Sequence, residues 1–164
     1  MNNDLYEMSG EHKVLVQNIL NNMFNIIISN TDISGYAFKG GYIMGNYISP
    51  NKGLRYSNDL DMSVSSKIEF KKIIDCVLPY VESLKQKGII YKYVIKEPIV
   101  TPIKKMSGGI ILYYKPSENK KAFKLCNIDI SLQNLSYGVI YADGFKRFSL
   151  ERMIGDKSFC FVFR

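Results

Sequence analysis

The sequence has little of what nucleophilic hydrolases and zinc sites require. It contains one histidine, no tryptophan and three cysteines among 164 residues. The single histidine, His12, stands in a predicted N-terminal helix and supplies no base for a serine or cysteine nucleophile, so both hydrolase types are excluded. The cysteines, Cys76, Cys126 and Cys160, form no C-x-x-C pair, so neither a zinc site nor a disulfide framework is indicated. We expect them to be small core residues in a reducing cytoplasm.

Membrane-directed segments are also missing from the sequence. No apolar run reaches the roughly 18 residues that a membrane-spanning helix needs. The first residues, MNNDLYEMSGEHK, show no basic stretch followed by an apolar core, so we expect no secretory signal. These absences predict a cytoplasmic protein without a membrane partner.

Positive charge is in excess. Lysine and arginine total 22 against 15 aspartates and glutamates, which gives a formal net charge of +7. A basic surface favours polyanions such as nucleic acids and nucleotides. A solvated, lysine-rich surface explains the same charge equally well.

Apolar periodicity and turn residues predict one α+β domain over residues 1–164, with a mixed β-sheet and helices packed mainly on one face. We predict helices over 11–30, from about residue 42, over 67–86 and from residue 149. We predict strands over 36–39, 58–64, 89–96, 108–116, 124–132 and 138–144. Ser149 is the expected N-cap of the last helix. That helix ends with the sequence, which predicts truncation at the C-terminal end.

A glycine pair, Gly40-Gly41, lies between a predicted strand and the following helix. Such a turn exposes backbone N–H groups at the positive end of the helix, and the missing side chains let a phosphate come close. A tight strand-to-helix connection without a ligand explains the same residues.

Two aspartates flank Leu60 in the segment GLRYSNDLDMSV. On a strand, Asp59 and Asp61 would share one face at roughly 7 Å between Cα atoms, and Leu60 would point to the other face. Their carboxylates could converge on one or two Mg²⁺ ions. An exposed acidic strand end is the alternative interpretation.

A third aspartate, Asp129, lies between Ile128 and Ile130 in the segment NIDIS. If this strand is buried, the aspartate requires a partner. It could complete a carboxylate triad beside the first strand, or it could pair with a neighbouring lysine or arginine.

Together, the glycine turn, the D-x-D strand and the later aspartate resemble the nucleotidyltransferase superfamily of the polymerase-β type. Four segments resemble the AbiEii toxin family within it: FKGGYIMGNYI, RYSNDLDMSV, CNIDIS and SLERMIGDKSF. The second is similar to the family pattern R-x-[ST]-x-D-[ILV]-D. The last is similar to S-L-E-x-x-[IL]-x-E-K-L, with Asp156 where glutamate is usual. The family usually continues into an R-x-[KR]-D-x-x-D segment and a helical C-terminal region, which this sequence lacks.

The resemblance implies that Asp59 and Asp61 bind Mg²⁺. Asp129 would be the third ligand, or the base that takes a proton from the acceptor. Lys157 would neutralise charge on the phosphates; without the resemblance we would interpret it as a solvated surface lysine.

The resemblance also implies a nucleotide site. Gly40 and Gly41 would bind the triphosphate, and Lys39 and Arg55 would face phosphates. Arg55 could equally pair with a carboxylate and steady its loop. Ser57 would hold the loop or touch the nucleotide.

The implied activity is transfer of NMP from an NTP to an acceptor, with RNA such as tRNA as the expected acceptor class. The implied biological role is the toxin of a type IV toxin–antitoxin or abortive-infection system, neutralised by a cognate antitoxin. Two alternatives stay open. One is a catalytically incomplete protein that binds nucleotide or RNA, and the other is transfer onto a small molecule or a protein.

Overall fold

Seven strands form one mixed sheet in the computed structural model, which describes residues 10–48 and 57–162 and the side chains of the last helix only as far as Asp156. The strands of this sheet are β1 (Tyr36–Lys39), β2 (Asp59–Val64), β3 (Lys92–Lys96), β6 (Gly108–Tyr114), β7 (Phe123–Leu132), β8 (Val139–Ala142) and β9 (Phe145–Phe148). Their order is β3-β6-β7-β2-β1-β9-β8. The pairs β2–β7 and β1–β9 are parallel, and the others are antiparallel.

The remaining elements are helices and one small hairpin. The helices are α1 (Gly10–Ile28), α2 (Gly40–Ile43), α3 (Lys67–Gln86) and α4 (Leu150–Val162), and a π-helical stretch over Met44–Ile48 continues α2. The hairpin is formed by β4 (Ile99–Val100) and β5 (Lys105–Met106). The predicted α+β class is confirmed.

The core lies between the sheet and the two long helices, α1 and α3. Strand alternation sends Leu60, Met62 and Val64 into this core, where each is fully buried. Val14 of α1 is 61% exposed and lies outside this core.

Helix α4 packs on the other face of the sheet. Met153 forms a small cluster there with Ala37 and Phe148. Ala37 alternates with core residues of β1, so it points away from α1 and α3. The helices therefore lie mainly on one face, as predicted, and α4 stands on the face that carries the candidate site.

Helix caps explain several boundaries. Ser149 Oγ accepts a hydrogen bond from the backbone N–H of Arg152 at 3.2 Å, so the predicted N-cap is confirmed. The strand predicted from residue 89 begins at Lys92, because the backbone N–H of Ile89 bonds Leu84 O at the end of α3. Gly88 supplies the left-handed residue there, with φ +71°.

Two helices of the described segments, α1 and α3, have 19 and 20 residues. Neither these nor the shorter helices in residues 10–48 and 57–162 combine the length and the apolar character needed to cross a membrane.

Candidate active site

A row of three charged residues crosses three neighbouring strands. Lys39 on β1 stands opposite Asp61 on β2, and Asp61 stands opposite Asp129 on β7. Opposed residues in a sheet share a face. We call this side, which points away from α1 and α3, the outer face.

Asp59 also belongs to the outer face, two residues before Asp61 on β2. Its Oδ1 lies 3.4 Å from Lys124 Nζ, and the two side chains are 39% and 44% exposed. Such a surface pair is weak, because water screens it. A bound cation could therefore displace Lys124 from Asp59 at small cost.

The electrostatics single out Asp61. Burial raises the pKa of Asp61 to about 6, and the charges of Asp129 and Asp59 add to the effect. Among the described residues, no lysine or arginine forms an ion pair with Asp61 or Asp129. The charged forms of these carboxylates are therefore poorly compensated, and a cation between them would stabilise both.

Lys39 takes part in this balance without pairing directly. Its Nζ donates a hydrogen bond to Ser131 Oγ at 2.9 Å. Burial lowers the pKa of Lys39, and the charges of Asp61, Asp156 and Asp129 oppose that shift. Lys39 therefore lies among carboxylates of both the sheet and α4.

The glycine turn approaches the carboxylates closely. Gly40 has φ +79°, and a Cβ there would lie 2.2 Å from Asp61 Oδ2. A side chain at this position would meet both backbone strain and a clash. Gly41, the second glycine, is exposed. The sequence predicts this helix from about residue 42, whereas α2 begins at Gly40. Its first two residues are the glycines themselves.

Ser57 lies beside this turn. A Cβ built at Gly41 would be 3.6 Å from Ser57 Oγ. Ser57 Oγ donates a hydrogen bond to the backbone oxygen of Asp59 at 2.9 Å, and Gln17 Nε2 donates to the backbone oxygen of Ser57 at 2.8 Å. Ser57 thus steadies the entry to β2, and its contact with a nucleotide stays a prediction.

Two predicted site residues fall outside these observations. Arg55 lies outside the described residues. Lys157 lies within α4, but its side chain lies outside the described part. Their predicted roles stay predictions.

Carboxylates are the donors that Mg²⁺ prefers, so the donor set of Asp59, Asp61 and Asp129 fits that ion. The side chains are not gathered around one point: among the described residues, no three acidic, histidine or cysteine groups form a cluster that could hold an ion. The opposed positions of Asp61 and Asp129 on adjacent strands allow their carboxylates to converge by side-chain rotation alone.

Sequence reasoning missed a hydrogen-bonded chain that begins at Lys39. Ser131 Oγ, the acceptor of the Lys39 bond, lies 2.8 Å from Ser63 Oγ, and Ser63 Oγ donates to Gln133 Oε1 at 2.8 Å. The signal was present, because Ser63 and Ser131 continue the polar alternation that Asp61 and Asp129 begin. This chain holds β2 and β7 together next to the carboxylates.

Asn127 was also missed. It stands opposite Asp59 on β7 and is 8% exposed. Among the described residues, its buried Oδ1 has no hydrogen-bond partner. An unsatisfied amide oxygen beside a carboxylate is a further potential oxygen ligand.

An open groove with a volume of about 620 Å³ adjoins the end of the hydrogen-bonded chain. Its lining includes Gln133 and Asp156, together with Lys105 of the β4–β5 hairpin and Arg152 of α4. Arg152 Nη2 donates to Asn134 O at 2.9 Å, which fixes α4 against the segment after β7. The volume is sufficient for a nucleotide-sized ligand.

Neither the protein-family models nor the curated proteins that were searched include a match to this sequence. Solved structures do match. A candidate nucleotidyltransferase from H. pylori aligns with TM-score 0.52 and 15% identity over 92% of this chain and 59% of its own. JHP933 from Helicobacter pylori aligns with TM-score 0.51 and 16% identity over 92% of this chain and 57% of its own. The chain thus spans less than two thirds of either neighbour, and it has a nucleotidyltransferase fold.

Proposed function

We propose that this protein is a nucleotidyltransferase that moves NMP from an NTP to an acceptor hydroxyl and releases pyrophosphate. One observation carries the proposal: Lys39, Asp61 and Asp129 form a row across three strands, and Asp61 lies against the Gly40 backbone in a nucleotidyltransferase fold. A weakly compensated carboxylate pair beside a glycine turn supports metal-dependent phosphate chemistry.

Asp59, Asp61 and Asp129 would hold Mg²⁺. When bound, Mg²⁺ would neutralise phosphate charge and lower the pKa of an attacking hydroxyl. The raised pKa of Asp61 supports this assignment, because burial and two neighbouring carboxylates disfavour its charged form without a cation.

The transfer step is an in-line displacement at the α-phosphorus. The acceptor oxygen forms a bond to that phosphorus as the bond to the bridging oxygen of the β-phosphate breaks. The electron pair of the broken bond leaves with pyrophosphate, and the hydroxyl proton passes to the carboxylate of Asp129.

The remaining predicted residues would position the triphosphate. Backbone N–H groups of Gly40 and Gly41 would contact its oxygens, since neither residue places a side chain in the way. Lys39, Arg55 and Lys157 would neutralise its charge. Ser57 would hold the start of β2 beside the glycines.

We further propose that the protein is an AbiEii-type toxin of a cytoplasmic type IV toxin–antitoxin or abortive-infection system. Its acceptor would be RNA, of which tRNA is one class, and a cognate antitoxin would be its partner. The motif resemblance supports this assignment, and the net charge of +7 is compatible with an RNA acceptor.

Transfer of label from each of the four α-³²P NTPs to total RNA, with Mg²⁺ present, tests the proposal. Wild-type protein should label RNA, and Asp61→Asn should not. Asp75→Asn is the matched control, because it also removes one carboxylate but lies on α3, in a surface ion pair with Lys71. Equal labelling by wild type and a folded Asp61→Asn protein would reject the assignment.

A further inference from the structure

A row of alternating basic and aromatic residues leads from Asp59 to the edge of the sheet. Lys92 on the edge strand β3 stands opposite Tyr113 on β6, and Tyr113 stands opposite Lys124 on β7. Lys92 Nζ lies 5.1 Å from the centroid of the Tyr113 ring. Lys124 Nζ in turn lies 3.4 Å from Asp59 Oδ1. The row is thus continuous from the edge strand to a predicted metal ligand.

A second row runs parallel to the first. Lys96 on β3 stands opposite Gly109 on β6, and Gly109 stands opposite Asp129. Gly109 is buried, and a Cβ there would meet the backbone oxygen of Ile128, so β6 packs closely against β7 beside Asp129. Between the two rows, Ile111 stands opposite Asn127 and is half-buried.

Charge on this surface is available to a ligand. Lys92, Lys96 and Lys124 are exposed, and none of the ion pairs between described residues uses Lys92 or Lys96. Lysines that neutralise no carboxylate of the protein are free to contact phosphates. An aromatic ring and an apolar side chain between such lysines provide surface on which bases can stack.

We propose that this surface, the acceptor platform (Lys92, Lys96, Ile111, Tyr113 and Lys124), binds the single-stranded end of an RNA acceptor. The inference rests on the proposed function, which places the reacting hydroxyl at Asp129. Lys92 and Lys96, which form no ion pair among the described residues, contact phosphates, and a base stacks on Tyr113. A single strand fits better than a duplex, because bases in a duplex already stack on each other and do not offer their faces to a protein ring.

The dimensions agree with this assignment. Strand β3 lies two strand spacings from β7, or about 10 Å. A strand held across β3 and β6 would therefore bring its terminal hydroxyl toward the carboxylates of Asp59 and Asp129.

Fluorescence anisotropy with a 5′-labelled single-stranded RNA tests the platform on the full 164-residue chain, without NTP. We expect Lys92→Gln and Lys96→Gln each to weaken binding several-fold and to reduce the slope of log affinity against log salt by about 0.7. Tyr113→Leu should weaken binding at least ~5-fold, whereas Tyr113→Phe keeps the stacking ring and should bind as wild type does.

Lys71→Gln is the matched control, since it removes one exposed lysine from α3, on the opposite side of the sheet. It should leave affinity and salt slope unchanged. Thermal unfolding of each variant checks that it is folded. Equal loss in Lys71→Gln, equal affinity of a duplex of the same sequence, or no binding of the single strand by wild type would each overturn the platform.

Calorimetric titration of NTP and Mg²⁺ into the same preparations separates this inference from the proposed function. NTP binding with an RNA affinity that no platform variant changes would overturn the platform alone. RNA binding that depends on the platform without any NTP binding would overturn the proposed function and leave the platform as a nucleic-acid surface.

Discussion

Asp61 and Asp129 stand directly opposite each other on two parallel strands, β2 and β7. Asp59 lies two residues before Asp61 on the same face. Burial raises the pKa of Asp61 to about 6, and both neighbouring carboxylates contribute. Burial and the two neighbouring carboxylates therefore disfavour the charged form of Asp61 when no cation is present.

Asp61→Asn should raise stability in metal-free buffer at pH 7.5. The substitution removes a buried charge that two carboxylates repel, and we expect the free energy of unfolding to rise by on the order of 2 kcal/mol. Urea denaturation measures the change. Asp75→Asn, which removes only a surface ion pair, should stay within ~0.5 kcal/mol of wild type. A less stable Asp61→Asn protein would contradict the electrostatic account.

The same group predicts a pH dependence. The pKa of Asp61 in the folded state lies above its ordinary value of 3.8. Stability from this group is therefore fully present below pH 3.8 and is lost as pH rises through about 6. The stability advantage of Asp61→Asn over wild type should grow between pH 4 and pH 7 in chelated buffer. A constant difference across that range would show that Asp61 does not titrate as described.

Mg²⁺ should stabilise the wild-type protein, and more at pH 7.5 than at pH 5. A ligand that binds only the folded state raises the melting temperature, and the ionised carboxylate that binds it forms above a pKa of about 6. Differential scanning calorimetry with MgCl₂, against NaCl of matched ionic strength, measures the effect. The same shift in Asp61→Asn would place any bound Mg²⁺ elsewhere.

Gly40→Ala should both destabilise the protein and abolish NTP binding. The added methyl group meets a φ of +79° and would lie 2.2 Å from Asp61 Oδ2. Gly144→Ala is the matched control, because φ there is +87° but a Cβ would have no neighbour within 4 Å. Gly144→Ala should therefore cost about 1 kcal/mol from backbone strain alone. Gly40→Ala should lower the free energy of unfolding by more than Gly144→Ala does, because its added methyl group also clashes with the Asp61 carboxylate. Equal costs, measured by denaturation, would show that Asp61 does not contact Gly40.

Local patterns were enough to predict much of the fold and to place Asp59 and Asp61 on one face of a strand. The alternation of Asp59, Leu60 and Asp61 predicts which side chains of β2 face the core and which point away from it. The helix caps at Ser149 and Gly88 lie where local chemistry requires them. Strand β9 was missed because its buried residues stand at positions 1 and 4 and do not alternate. The Asp143-Gly144 turn before it, with φ of 56° and 87°, was a hairpin signal.

Contacts between distant segments could not be predicted in the same way. The register that places Asp61 opposite Asp129 joins residues that lie 68 positions apart in the sequence. The hydrogen bond between Ser63 and Ser131 spans the same separation. The bond from Lys39 to Ser131 spans 92 residues. No local periodicity encodes such pairings, since they follow from which strands become neighbours in the folded sheet.

Asp129→Ala should separate catalysis from nucleotide binding. Under the proposed function, binding of an NTP would depend mainly on the glycine turn and on the carboxylates of β2, which this substitution leaves in place. Transfer also requires a group to take the acceptor proton, so the rate should fall by at least ~100-fold, while the Kd for NTP and Mg²⁺ should change only several-fold. Calorimetry gives the Kd, and single-turnover labelling gives the rate. Ser131→Ala, two residues along the same strand, controls for local disturbance of β7 and should retain more of the rate. If the Asp129→Ala protein transfers at the wild-type rate, Asp129 is not a catalytic residue. If the wild-type protein binds NTP but does not transfer NMP, this chain is a catalytically incomplete nucleotide-binding protein.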